Sequence, residues 1–222
     1  MPSPYSPIQL LLFLAALGFL LALVQIGLLT IAFEKLGLSQ ASAFLLLFSS
    51  LLGSSINLPL FSIAATRPPD ELIPRQLRGL LRQTARPFTG RTLIAVNVGG
   101  CLIPLTFSLY LIQHHPVTLD TVIYATLLVA LICYVAARPI PGVGIGIPIF
   151  VAPLVAAAVA TLIAPDYSAP LAYIGGTLGV LLGADILRWR DIRTIGAPVA
   201  SIGGAGTFDG IFLTGIVAVL LA

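Results

Sequence analysis

Apolar runs follow one another from Ile8 to Ala222, and ten of the eleven Lys and Arg residues are confined to three of the connections between them. That confinement constrains the fold more than any other feature. A soluble domain spreads charge over its surface, on about 25% of its residues, whereas here 9% are charged and 58% hydrophobic. In hydrocarbon, backbone N–H and C=O groups find partners only within the protein, so helices are the simplest spanning form. The expected fold class is an all-α membrane protein. It is one transmembrane bundle over residues 1–222 with about seven helices, at about 8–33, 40–64, 92–112, 119–137, 149–164, 170–187 and 203–222.

The basic connections hold Arg67 to Arg91, Arg138, and Arg188 to Arg193. Basic residues stay on the cytoplasmic side of a membrane, and placing all three connections there lets seven spans alternate without conflict. The expected location is the plasma membrane, with the N-terminus cytoplasmic and the C-terminus outside. Met1 to Gln9 has no basic region and precedes an apolar run longer than a signal-peptide core, so it is expected to stay attached as the first membrane helix.

Within the connection 67–91, Arg75, Arg78, Arg82 and Arg86 recur at three- and four-residue steps, with Leu77, Leu80 and Leu81 on another side. This predicts a short amphipathic helix in the headgroup layer whose partners are anionic lipid headgroups. An ordinary positive-inside loop accounts for the same arginines. Because the basic residues form no single face on a soluble module, nucleic acid is excluded as a partner.

Several local features carry structural expectations. Asn57 precedes Pro59 in the second run, and the missing proline N–H predicts a kinked helix that Asn57 mends. Cys101 and Cys133 lie within apolar runs and read as small buried hydrophobes. His114, His115 and Asp120 lack the stereotyped spacing of metal ligands, so no metal and no cofactor is expected. The stretch from Pro139 to Pro148 contains three prolines and three glycines and cannot be regular helix; it predicts an apolar extended segment or a partial re-entrant loop. Gly175, Gly176, Gly179 and Gly183 form a small-residue stripe for close helix packing.

Two acids remain. Asp185 ends the sixth run and Asp209 stands early in the seventh, so both fall in the cytoplasmic half of neighbouring antiparallel helices. A lone carboxylate at the centre of a spanning helix costs ~2.5–3.5 kcal/mol, and each therefore needs a reason. An ion pair with Arg188, three residues on, is one reason for Asp185. A protonated side chain bonded to helix backbone is one for Asp209. Brought together at low dielectric, the two carboxyls would share one proton and titrate as a pair. Aspartic proteases use this arrangement: the ionised member takes a proton from water while the protonated one donates to the scissile carbonyl. Gly204, Gly206, Thr207 and Gly210 would leave room for a substrate backbone. Gly142, Gly144 and Ile145 would offer strand-like backbone for it to pair with. A proton-coupled small-solute transporter uses the same residue types as a relay, and a catalytically silent membrane scaffold has no need of them.

Asp185 at the end of one span, a Gly-x-Gly element and Asp209 early in the next resemble the intramembrane aspartyl protease group that includes presenilin, signal peptide peptidase and prepilin peptidase. More closely, the chain is similar to an uncharacterised prokaryotic multi-pass membrane family grouped with them, in which a Pro-Gly-x-Gly-Ile segment and a Gly-Thr-Phe-Asp-Gly segment recur; here these are Pro141 to Ile145 and Gly206 to Gly210. The closer likeness covers most of the chain and the protease-like part about residues 170–222. The resemblance implies a presenilin-like pair of Asp-bearing helices at the C-terminal end. It also implies catalytic roles for Asp185 and Asp209 and a membrane-protein substrate. The chain departs from the presenilin pattern at Ala184, where that group has Tyr, and at Thr207 and Phe208, which stand between Gly206 and Asp209.

Overall fold

A computed structural model describes residues 7–25, 27–66, 89–141, 144–204 and 210–222. The described chain is mostly helical. Helices α1 (Pro7–Gln25) and α2 (Leu28–Lys35) meet at Gly27, whose φ of 77° breaks what the sequence reads as one span. Helix α3 (Gln40–Gly53) starts on Ser39, whose hydroxyl accepts from the Ser42 N–H. Helices α4 (Ile103–His114), α5 (Leu119–Ala136), α6 (Val151–Ile163) and α7 (Ser168–Val180) follow, then a short α8 (Ile192–Ile195) and α9 (Gly210–Leu221). Among the described residues two stretches, Leu119–Ala136 and Pro165–Ile186, are long and apolar enough to cross a membrane.

The all-α expectation is corrected at two places. The predicted helices at 40–64 and 92–112 each give up one end to strand: β1 (Asn57–Ala64) pairs antiparallel with β2 (Arg91–Asn97), and β2 pairs parallel with β5 (Val199–Ile202). Pro59 cannot continue a helical hydrogen-bond ladder, and the β1 register shifts between Pro59 and Phe61. In β2, the branched residues Thr92, Ile94 and Val96 suit a pleated backbone better than a helix. A second ribbon joins β3 (Arg138–Ile140) to β4 (Gly144–Gly146), which gives the extended segment expected after Arg138 its form.

Helix α7 is the centre of the packing. In the 18-residue apolar window of Pro165–Ile186, 78% of the residues are buried, against 28% of Leu119–Ala136, so α5 is an outer helix. The glycine stripe of α7 and the turn after it lies on α5: Gly175 against Ala125, Gly179 against Val129 and Gly183 against Ala130. These contacts advance together along both helices, so α5 and α7 run parallel. Tyr173, fully buried, meets Phe107 of α4 edge to face, with ring centroids 4.9 Å apart. Outward, α5 exposes Leu119, Ile123, Leu127, Leu131 and Val135, and α1 exposes Leu11, Leu12, Leu14 and Phe19.

The parallel register puts Arg138, after α5, at the same end as Arg188 and Arg193, after α7. Thr66 donates its N–H to the Arg193 carbonyl (2.8 Å), and Ala65 donates to the Gly90 carbonyl (3.0 Å), so both flanks of the connection 67–88 reach that end too. At the other end, Lys35 Nζ donates to the Val219 carbonyl and the Ser168 hydroxyl to the Ala222 carbonyl. The three-stranded sheet and the β3–β4 ribbon cap the basic end of the helices.

Candidate functional site

Beyond Val180 the helix widens into a π-helical segment, Leu181–Ile186, a form found often at functional sites. An α-helix brings residues three apart onto one face; a π-helix turns less per residue and changes which side chains align. Asp185 lies in this segment. Its Oδ2 accepts a hydrogen bond from the Gly203 N–H at 2.8 Å. Arg188 is engaged elsewhere: its Nη1 donates to Asp191 Oδ2 at 3.0 Å, and its Nε and Nη2 donate to the Tyr134 carbonyl at the end of α5. The Asp185–Arg188 ion pair that the spacing allows is therefore not formed.

Gly203 is held from two sides. A second π-helical segment, Val98–Leu102, follows β2. A Cβ added at Gly203 would stand 2.6 Å from the Gly100 carbonyl carbon and 2.7 Å from the Cys101 nitrogen. Its φ of 88° is also one that side chains rarely adopt. The residue that binds Asp185 is thus pressed against the other π segment, and both segments converge on it.

A polar network fixes the strands behind this contact. Asn97, fully buried, donates through Nδ2 to the Ser54 carbonyl (2.7 Å) and to Asn57 Oδ1 (3.1 Å), and its Oδ1 accepts from the Gly100 N–H (2.7 Å). The Ser201 hydroxyl donates to the same Asn57 oxygen. The expectation for Asn57 is corrected: it mends no kinked helix but links β1, β2 and β5, because the backbone there has become strand. Asn97 and Ser201 escape a reading of the sequence. The one signal was an Asn just before Gly99-Gly100, placed to cap the turn that follows.

Asp185 faces a cavity of about 250 Å³. Its walls include Gly144 and Ile145 of β4, Ser201 of β5, Gly204, and Ile192 and Ile195 of α8. All four residues Val199, Ala200, Ser201 and Ile202 border it. Successive strand side chains point to opposite faces, so a run of four at one cavity means that an edge of β5 borders the space. The opposite edge is paired with β2.

Four of the sequence-derived site residues, Asp185, Gly144, Ile145 and Gly204, therefore meet around one space. Gly210 opens α9. Gly142, Gly206, Thr207 and Asp209 lie outside the described residues, as do Arg75, Arg78, Arg82 and Arg86. His114 and His115 contact different carbonyls, those of Tyr110 and Leu36.

Residues 51–221 match the model of a protein family described as protein of unknown function, DUF1614. The chain belongs to the DUF1614 family. No curated protein and no solved structure matches it. The DUF1614 match takes in every residue of the cavity and both π-helical segments, and leaves out α1, α2 and most of α3.

Proposed function

We propose that this DUF1614 chain is an aspartyl endopeptidase of the intramembrane type, with Asp185 and Asp209 as its two acids and an extended segment of a membrane protein as its substrate. The observation that carries the reading is the Asp185 carboxylate at a cavity bordered by backbone of β4 and by an edge of β5. An extended peptide offers N–H and C=O groups to such an edge, and its side chains meet the apolar walls. Gly144 and Gly204 leave space for its backbone. One carboxylate takes a proton from water as the water attacks the scissile carbonyl, and the other acid donates a proton to the developing oxyanion.

The same reading makes the chain a multi-pass protein of the plasma membrane with seven crossings. The outward Leu, Ile, Val and Phe side chains of α1 and α5 support it, since a monomeric soluble protein rarely exposes such continuous apolar area. The gathering of Arg138, Arg188, Arg190 and Arg193 at one end supports a cytoplasmic position for that end. Cysteines introduced at Arg78 and Arg190, with Cys101 and Cys133 replaced by Ala, should be shielded from an impermeant thiol reagent added outside intact cells. One at Ala222 should react. Reaction of the Arg78 and Arg190 positions from outside contradicts the orientation.

The activity is tested by incubating the purified full chain in vesicles with a panel of single-pass peptides and locating cleavage by mass spectrometry. Cleavage inside an apolar segment, lost in Asp185→Asn, is the expected result. No cleavage of any peptide, together with solute uptake that depends on Asp185, favours a proton-coupled transporter instead.

A further inference from the structure

The turn that follows Asp185 carries a surface that catalysis does not use. Ile186, Leu187 and Trp189 are exposed, Trp189 at 45%, in the turn that Arg188 ties to the end of α5 through the Tyr134 carbonyl. Beyond them come Arg190 and Arg193, both exposed, and Arg138 at the parallel end of α5. Among the described residues one ion pair exists at this end, between Arg188 and Asp191, and it neutralises Arg188. Arg138, Arg190 and Arg193 have no acidic partner among the described residues. The Arg193 guanidinium sits over the Trp189 ring, 5.5 Å from its centroid. Apolar side chains, then an aromatic ring, then cations is the order met on passing from hydrocarbon through the interface to the phosphates of a leaflet.

We infer that Trp189, Arg190, Arg193 and Arg138 form a docking surface for anionic phospholipid. The tryptophan ring seats at headgroup depth and the guanidinium groups pair with lipid phosphate. Charge complementarity selects the occupant: zwitterionic lipid offers the same depth but no net charge. This surface belongs to residues 138–193, distinct from the arginines of 67–91. It rests on the membrane reading and not on proteolysis. The same turn supplies Ile192 and Ile195 to the cavity beside Asp185, so lipid contact and cavity wall share one segment.

Trp189 is the single tryptophan of the chain, so its fluorescence reports this place alone. The full-length protein is reconstituted in phosphatidylcholine vesicles containing either brominated phosphatidylglycerol or brominated phosphatidylcholine at equal mole fraction. Stronger quenching by the brominated phosphatidylglycerol is expected, from a preference of about fivefold for each arginine the lipid meets. That preference falls in high salt and disappears in the double variant Arg190→Gln, Arg193→Gln, whose thermal unfolding should match that of the parent. Equal quenching by the two lipids overturns the inference and leaves the membrane reading standing; quenching by neither overturns both. Loss of the preference on adding inorganic phosphate, but not chloride at matched ionic strength, would assign the site to free phosphate and also overturn it.

Discussion

Asp185→Asn is expected to lower peptide cleavage by about a thousandfold or more while the protein stays folded. Asn keeps an oxygen where Oδ2 accepts the Gly203 N–H, so the contact between the two π-helical segments survives. What is lost is a group able to take or give a proton. Asp209→Asn should have an effect of the same size, because each acid is useless without the other. The double variant should be no slower than either single one, since residues that act as a unit give non-additive losses. Initial rates on the most readily cleaved peptide of the panel check all three. Losses that multiply in the double variant would mean two independent roles in place of one coupled pair.

Gly203→Ala should be among the most damaging small substitutions in the chain. The φ of 88° costs a residue with a Cβ about 1–3 kcal/mol. The added carbon also falls on Gly100 and Cys101 backbone, which unlike a flexible side chain cannot rotate away. Overpacking of that kind costs about 1–3 kcal/mol more, for a combined loss of about 2–6 kcal/mol. Relief requires β5 to move from the segment Val98–Leu102, which also withdraws the Gly203 N–H from Asp185. Denaturant unfolding in detergent gives the stability change, and the cleavage rate should fall with it. Gly18 is the control. It has nothing within 4 Å of the same added atom, so Gly18→Ala should leave the cleavage rate unchanged and, in a helix interior, should not lower the stability.

Which parts of this architecture the sequence discloses depends on the range of the interactions that make them. Helix α5 is legible because its determinants are local: an apolar run of the right length, preceded by Thr118, whose hydroxyl accepts the Thr121 N–H. The glycine stripe of α7 is legible for the same reason, although not its partner. The strands β1 and β2 read as helix because each adjoins an apolar run that is helical, and an apolar strand has much the same composition as a spanning helix, although β1 is mostly exposed. Their pairing joins residues as far apart as Asn57 and Asn97, which local periodicity cannot register. Pro59 was visible, but it was consistent with a kink as well as with a strand.

The candidate site divides along the same line. The acid and the glycines around it can be found from residue type, and Asp185, Gly144, Ile145 and Gly204 do surround one cavity. The partner of Asp185 could not be chosen from spacing. Arg188 lies three residues from both Asp185 and Asp191, and α-helical geometry favours neither. The π-helical segment decides the matter by changing the alignment of Asp185, leaving Arg188 to Asp191 and the Tyr134 carbonyl. Nor does a glycine-rich sequence reveal that Gly203 is pressed on Gly100. That follows only once β5 is laid beside β2.

The central claim is that Asp185 and Asp209 act as a pair, and their separation tests it most directly. In a chain with Cys101 and Cys133 replaced by Ala, cysteines take the places of Asp185 and Asp209, and mild oxidation is followed by mass spectrometry of the proteolysed protein. Two carboxyls close enough to share a proton bring their Cα atoms within reach of a disulfide, which bridges about 4.4–6.8 Å, or of a bifunctional reagent spanning about 10 Å. The account predicts rapid formation of a peptide cross-linked through positions 185 and 209. Both thiols remaining free under oxidation, and also failing to be joined by a bifunctional reagent spanning about 10 Å, would contradict it, because carboxyls that far apart in a hydrated site interact too weakly to share a proton.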